Sequence, residues 1–386
     1  MSLYDIVKNS GGTYLSLAQA MAEVTTRARF PAGAVFELSP ICNFKCPFCY
    51  ARVSQKELDE RGERVLRFED WKRLIDEIHA LSVCDLTLTG GECMLHPDFL
   101  RIYRYAYEKG FLITLMTNGS CVTPAVLELF GQCPPEAIYL TVYGASPETY
   151  AAVCGDAAYY DRVMKSIRAI KALGIQHFVL QCTVDRDNVG DLKQIYDLAK
   201  ELGLPLRYTP PDLTFRRVTA EMLEDCVPDK EALDAASGSI YADKHAFDDE
   251  NIAARKKEKV FFSQLPVVEK GIPCGAGRRS FAINYRGEMI PCVSLDFISI
   301  PTEGRDLGDC WRQLTAACDE VPRLTECVNC IFKTHCKSCI ALHYNDVKRF
   351  GVPSPRLCYK KLHPERAAEL EAKYARDGYL LREDME

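Results

Sequence analysis

Three cysteines stand within one short stretch, Cys42-Asn43-Phe44-Lys45-Cys46-Pro47-Phe48-Cys49-Tyr50, spaced C-x3-C-x2-C. Iron–sulfur cubanes are held by cysteine thiolates and ordinarily take four. Three on one loop leave one iron without a protein ligand, where a small molecule can bind and be reduced. Pro47 fixes φ and keeps the loop from running on as a helix. A structural zinc loop is the alternative reading. Zinc usually needs a fourth ligand, often from a second C-x2-C pair, and no further Cys or His follows until His79.

A second block of cysteines lies near the end of the chain. Cys274 precedes an alternating stretch, Phe281 to Tyr285. Arg286-Gly287 makes a turn, and Met289 to Val293 returns carrying Cys292, which together read as a β-hairpin. Cys327-x2-Cys330-x5-Cys336-x2-Cys339 follows, then Cys358. Two C-x2-C pairs are also a zinc signature. These pairs are five residues apart, where zinc ribbons have about a dozen or more between them. Setting aside Cys310 and Cys318 on an intervening helix, seven cysteines remain, which exceeds one zinc. Two iron–sulfur clusters account for that count, with an eighth ligand missing or non-cysteine.

The whole chain holds 19 cysteines. In an intracellular protein such an excess reads as metal binding or catalysis rather than disulfides. Cys84, Cys121, Cys133, Cys154, Cys182, Cys226, Cys310 and Cys318 are scattered singly and are expected to pack as small buried apolar groups.

The elements that must position these groups follow a strand–helix rhythm. Strands are expected at Val35–Leu38, Cys84–Thr89, Phe111–Met116, Ala137–Tyr143, Phe178–Val184 and Leu204–Thr209. Between them, Trp71, Leu74, Ile75, Ile78 and Leu81 recur at helical spacing, as do Val163, Ile167 and Ile170. A helix from about Pro97 to Lys109 suits Pro97 to its first turn. Alternating strands and helices imply a parallel sheet with right-handed crossovers. At about 31 residues per unit of a full barrel, residues 35–209 hold six units rather than eight. The fold class is therefore α/β, a partial (β/α)6 TIM-like barrel followed by a small cysteine-rich domain with a β-hairpin.

Five segments result: a lead helix (1–33, hinted at by Leu15, Leu17, Ala18 and Met21), the barrel (34–211), a charged helical linker (212–272), the cysteine-rich domain (273–362) and a C-terminal helix or tail (363–386). Residues 243–259 are dense in charge and read as a solvated helix.

Ligand sites in parallel α/β folds lie at the carboxyl ends of the strands. The cysteine loop, Gly90-Gly91-Glu92, Thr117-Asn118 and Tyr143-Gly144 all fall there. Tyr143 and Asp185 lie near strand ends, where turn or capping roles are equally open, so no catalytic acid or base is nominated.

At 386 residues the chain exceeds what one core ordinarily supports. A formal net charge of −6 argues against nucleic acid as an obligatory partner. No apolar run reaches the length of a membrane span, and no signal peptide is evident, so a cytoplasmic protein is expected.

Together the motifs resemble the radical SAM superfamily. Cys42-x3-Cys46-x2-Cys49, with Phe48 before the third cysteine, matches its cluster motif, and Gly90-Gly91-Glu92 looks like its GGE motif. Cys274-x12-Gly287-x4-Cys292 with Cys327 to Cys358 is similar to the SPASM extension, which carries two auxiliary clusters. The resemblance covers residues 34 to 362. It implies that Cys42, Cys46 and Cys49 hold a [4Fe–4S] cluster whose open iron chelates S-adenosylmethionine (SAM). It implies that Gly90, Gly91 and Glu92 contact the SAM amino group, Thr117 or Thr141 its ribose and Phe48 its adenine. Asn118, Thr183 and Asn188 are further candidates. By analogy Cys274, Cys292 and Cys339 hold one auxiliary cluster, and Cys327, Cys330, Cys336 and Cys358 the other.

This chain departs from the family pattern in three places. Cys93 follows Glu92 where proline is usual, the last pair is one residue shorter than the common C-x3-C, and the first auxiliary cluster has three evident cysteines.

The implied chemistry is reductive cleavage of SAM to a 5′-deoxyadenosyl radical, which abstracts hydrogen from a substrate. A low-potential donor of flavodoxin or ferredoxin type would supply the electron, and auxiliary clusters could accept one from the substrate. A ribosomally made peptide or protein is the implied substrate. A formylglycine-forming sulfatase-maturating enzyme is an alternative, weakened by Val293 where such enzymes carry an acid after the cysteine. Dehydrogenation or epimerisation of a small sugar or alcohol is another, and a zinc-stabilised binding module a fourth.

Overall fold

A computed structural model describes residues 22, 24–211, 214–245, 257–262, 267–333, 336 and 339–385. Leu15, Leu17, Ala18 and Met21 of the expected lead helix lie outside the described residues, as does most of the charged stretch (246–256).

The strand–helix rhythm is present throughout the first half. Strands β1 (Gly33–Ser39), β2 (Asp85–Gly90), β3 (Leu112–Thr117), β4 (Ala137–Thr141), β5 (His177–Thr183) and β6 (Leu206–Thr209) pair in parallel in sequence order. Sequential order with right-handed crossovers places the helices on one face of the sheet. That is the single winding of a barrel, left open.

The helices are α1 (Gln55–Arg61), α2 (Phe68–Ala80), α3 (Phe99–Glu108), α4 (Pro124–Gln132), α5 (Pro147–Cys154), α6 (Ala158–Ala172) and α7 (Leu192–Glu201). Local chemistry sets their ends. Thr123 and Ser146 accept backbone N–H groups at the N-termini of α4 and α5, each followed by proline in the first turn. Gly155 closes α5 in the left-handed region. Trp71, Leu74, Ile75 and Ile78 form the buried stripe of α2. Helix α3 starts at Phe99, two residues after Pro97, with Asp98 at its N-cap. The Asp98 carboxylate is occupied elsewhere, accepting from Arg67 Nε at 3.0 Å and from the Phe68 N–H at 3.2 Å.

Beyond β6 the chain forms α8 (Ala220–Cys226) and α9 (Lys230–His245). Phe215, Val218, Leu223 and Ile240 are buried, and α9 packs against α7.

The hairpin forms as expected, from β8 (Ser280–Ile283) and β9 (Glu288–Ile290), with β7 (Lys259–Val260) before it and β10 (Ile300–Pro301) after it. Its position was not legible. β8 pairs in parallel with β1, from Gly33 opposite Ser280 to Phe36 opposite Ile283. The result is one nine-stranded sheet in the order β10-β9-β8-β1-β2-β3-β4-β5-β6. Helix α10 (Leu307–Asp319) buries Trp311, Leu314 and Cys318 beneath it. The end of the chain carries α11 (Ile340–Val347), α12 (Pro364–Asp377) and β11 (Leu380–Leu381), which pairs with β7, and closes in a helical turn at Arg382–Met385.

Six of the eight scattered cysteines are buried, as expected of small apolar groups; Cys84 is exposed and Cys121 half-buried.

Candidate active site

The cysteine loop leaves β1 through a bulge and is stitched to the end of β2. Register shifts between Glu37 and Ser39. Gly91 N donates to Ser39 O at 2.7 Å and Glu92 N to Ile41 O at 2.9 Å. This approach explains the two glycines. A Cβ on Gly90 would meet Ser39 O at 2.2 Å, and one on Gly91 would meet Ile41 O at 2.5 Å. Gly90 also has φ +143°, a conformation that side chains disfavour.

The far side of the loop is anchored by Phe44 and by amides. Phe44 is buried, its ring 4.5 Å from Tyr159 and 6.0 Å from Tyr143. Asn43 donates to Ser120 Oγ at 2.8 Å, and Ser120 donates to Asn118 Oδ1. Asn118 Nδ2 in turn reaches Asn43 Oδ1 at 3.2 Å and Cys42 Sγ at 3.5 Å. Asn43 and Ser120 carried no signal in sequence beyond their proximity to marked residues.

Cys42, Cys46 and Cys49 thus line one cleft of ≈ 170 Å³ together with Gly90, Gly91, Thr117, Asn118, Thr141 and Tyr143. Gln181, from β5, also lines it. Three expected residues lie elsewhere. Glu92 is fully buried behind the cleft. It accepts from Asn118 N at 2.8 Å and Met94 N at 3.1 Å, and the Thr117 hydroxyl sits 2.9 Å from both of its oxygens. Phe48 packs behind the wall, 6.0 Å from the Tyr143 ring. Thr183 is outside the lining, and its carbonyl accepts from Asn188 Nδ2 at 3.0 Å.

Asp185 serves a turn: its carboxylate accepts the Asp187 and Asn188 N–H groups, and burial pushes its pKa up to about 6. Cys93 is buried, with its thiol against Glu92 and Met116 O.

Burial pushes the Cys42 and Cys49 thiols up, with Arg217 opposing this at Cys49. Hydrogen bonds from Cys154 and from the Tyr143 hydroxyl hold Cys46 down. Three thiols on one wall, facing two glycines that admit no side chain, suit a group with several open ligand positions and a small polar molecule beside it.

In the C-terminal part, burial raises Cys292 to about 12, and Cys339 and Cys274 add to the rise. Burial likewise raises Cys327 to about 11, and Cys330, Cys358 and Cys336 add to the rise. Cys292 thus has Cys274 and Cys339 for neighbours, and Cys327 has Cys330, Cys336 and Cys358. Cys318, buried on α10, has Cys292 and Cys274 near it.

Residues 36–199 match the model of the radical SAM superfamily. The chain carries a radical SAM domain. Among curated proteins it is similar to the PqqA peptide cyclase of Ruegeria pomeroyi, 33% identical over 196 residues, which are 50% of this chain and 48% of that protein. It is also similar to the mycofactocin maturase of Mycobacterium tuberculosis, 24% identical over 68% of this chain and 64% of that protein. The chain thus spans about half to two thirds of the length of these relatives. Among solved structures, Streptococcus suis SuiB shares the fold with a TM-score of 0.61 at 15% identity, covering 86% of this chain and 80% of SuiB. AnSMEcpe does so with 0.62 at 15% identity, covering 89% and 96%. The radical SAM domain accounts for β1 to α7, and the likeness in fold extends well beyond it.

Proposed function

We propose that this chain is a cytoplasmic radical SAM enzyme that modifies a ribosomally made peptide or protein. The observation that carries the reading is the single cleft in which Cys42, Cys46 and Cys49 face the Gly90-Gly91 cradle at the strand ends. The names of the curated relatives, a peptide cyclase and a maturase, support the substrate class.

Cys42, Cys46 and Cys49 would hold a [4Fe–4S] cluster, and Gly90, Gly91, Thr117, Asn118, Thr141 and Gln181 would border SAM. Bound there and reduced by a flavodoxin- or ferredoxin-type donor, the pair supplies hydrogen-atom abstraction from the substrate. The chain's own residues hold this geometry. The Asn43–Ser120–Asn118 amides fix the loop, Phe44 anchors it in aromatic surroundings, and buried Glu92 ties the end of β3 to that of β2. The two C-terminal neighbourhoods, Cys274/Cys292/Cys339 and Cys327/Cys330/Cys336/Cys358, would hold auxiliary clusters able to take the electron left on the substrate.

Iron, sulfide and zinc per chain after anaerobic reconstitution test this, on wild type and on a Cys42→Ala/Cys46→Ala/Cys49→Ala variant. About 12 irons falling to about 8 is expected, at four per cubane. About four irons with one zinc would instead make the tail a zinc staple and remove its electron-accepting role. Under reduction, wild type should convert SAM to 5′-deoxyadenosine and methionine, and the triple variant should not.

A further inference from the structure

A second, larger cavity of ≈ 310 Å³ adjoins the cofactor cleft and shares Tyr50 with it as a common wall. It opens between the segment after the cysteine loop, the segment after β6 and the β8–β9 hairpin. Five guanidinium groups line it, from Arg52, Arg61, Arg216, Arg217 and Arg286, against only two carboxylates, Glu57 and Asp296.

Three of the five are committed. Arg216 forms a two-pronged pair with Glu37 at 2.9 and 3.2 Å and also reaches Asp296 at 3.5 Å. Arg286 pairs with Glu63 at 3.1 Å and Glu288 at 2.6 Å. Arg61 lies 3.8 Å from Glu57. Arg52 and Arg217 have no carboxylate within ion-pair distance among the described residues. Arg217 donates to Cys49 O at 2.9 Å, which ties this wall to the cysteine loop. The Nε–H of Arg52 is shut off from solvent with no hydrogen-bond partner. Leaving such a donor unmet is costly.

The backbone is also arranged for this wall. Arg216 has φ +52°, a strained setting that persists only where surroundings over-determine it. The Glu37 pair does so, and two consecutive arginines consequently line one cavity.

We infer that this cavity is a carboxylate subsite, in which Arg52 and Arg217 clamp a carboxylate of the substrate peptide beside the cofactor cleft. Guanidinium forks match carboxylates in geometry and charge. None of the five arginines lines the cysteine cleft itself, so the subsite serves a second molecule rather than SAM. The carboxylate is either an Asp or Glu side chain or a free C-terminus. The inference rests on the peptide reading above.

Three probes test it on the reconstituted holoenzyme with SAM bound, by calorimetry at millimolar concentration. They are N-acetyl-Gly-Glu-Gly-amide, N-acetyl-Gly-Gln-Gly-amide, and N-acetyl-Gly-Gln-Gly with a free C-terminus. At least one carboxylate-bearing probe should bind about tenfold or more tighter than the neutral amide, and the tighter one identifies the source. Arg52→Gln and Arg217→Gln should each erase that preference, and Arg52→Lys should keep part of it. Iron content and the melting curve establish that each variant is folded. Equal binding of all three probes, or binding of none, overturns the subsite. So does a loss of SAM affinity in the variants that matches the loss of probe, since the arginines would then serve the cofactor's own carboxylate. Formation of 5′-deoxyadenosine by wild type is read separately. Its absence defeats the enzyme reading, whereas its presence without a carboxylate preference defeats only the subsite.

Discussion

Glu92 illustrates what a single residue does here. Its carboxylate is fully buried, and burial raises its pKa, opposed by N–H groups from Asn118 and Met94 and by the Thr117 hydroxyl. The family resemblance implies a SAM contact for it, and in the structure its carboxylate ties the ends of β2 and β3. Glu92→Gln turns an NH2 toward donors that need an acceptor. It should cost about 1–3 kcal/mol in denaturant unfolding and weaken SAM binding along with stability. Loss of SAM affinity at unchanged stability would argue for direct contact instead. Gly91→Ala places a Cβ 2.5 Å from a backbone oxygen that cannot move without the cysteine loop. An overpacking cost of about 1–3 kcal/mol is expected, with iron loading of the opening loop lost and that of the C-terminal block kept, read as iron per chain.

At the scale of elements, Asp346 on α11 ties the C-terminal part to the segment that follows β6. Its carboxylate accepts from the Arg356 guanidinium at 2.8 Å and from the hydroxyls of Ser354 and Thr214. Burial opposes the charge, yet these donors hold the acid below its ordinary value of 3.8. A carboxyl depressed in the folded state contributes stability that is present above the unfolded pKa and lost as pH falls through the folded one. Asp346→Asn should therefore lower stability at neutral pH by about 1–3 kcal/mol. It should also flatten the loss of stability below about pH 4, measured by denaturant melts from neutral to acid. An acid slope unchanged by the substitution would place the pH dependence elsewhere.

For the whole molecule, the consequential pairing is β8 on β1. The cysteine-rich part is not appended to the radical SAM domain; it completes the sheet at the strand that leads into Cys42. Removing residues 273–386 would strip β1 of this partner and expose an open edge beside buried Phe36. The truncated chain is expected to aggregate on size-exclusion chromatography and to bind little iron even though its three loop cysteines are intact. A monomeric, iron-loaded truncation would show the barrel to be independent. Among the described residues no helix is long and apolar enough to cross a membrane.

The strand–helix order, the six parallel strands β1 to β6 and the clustering of cysteine, glycine and threonine motifs at strand ends were legible in the chain. These depend on local periodicity and short spacing, which neighbouring residues encode. Tertiary structure alone decided which side chains face the cleft. Glu92, Phe48 and Thr183 sit near it in sequence but turn into packing, whereas Gln181 and Tyr143 face inward. It also decided that a hairpin nearly 250 residues from β1 would be that strand's neighbour. Arg52 and Arg217 show the same limit. They are separated by 165 positions of unremarkable sequence, and only the closing of the sheet brings their charges to one cavity, because long-range proximity is fixed by burial and strand pairing rather than by any local pattern.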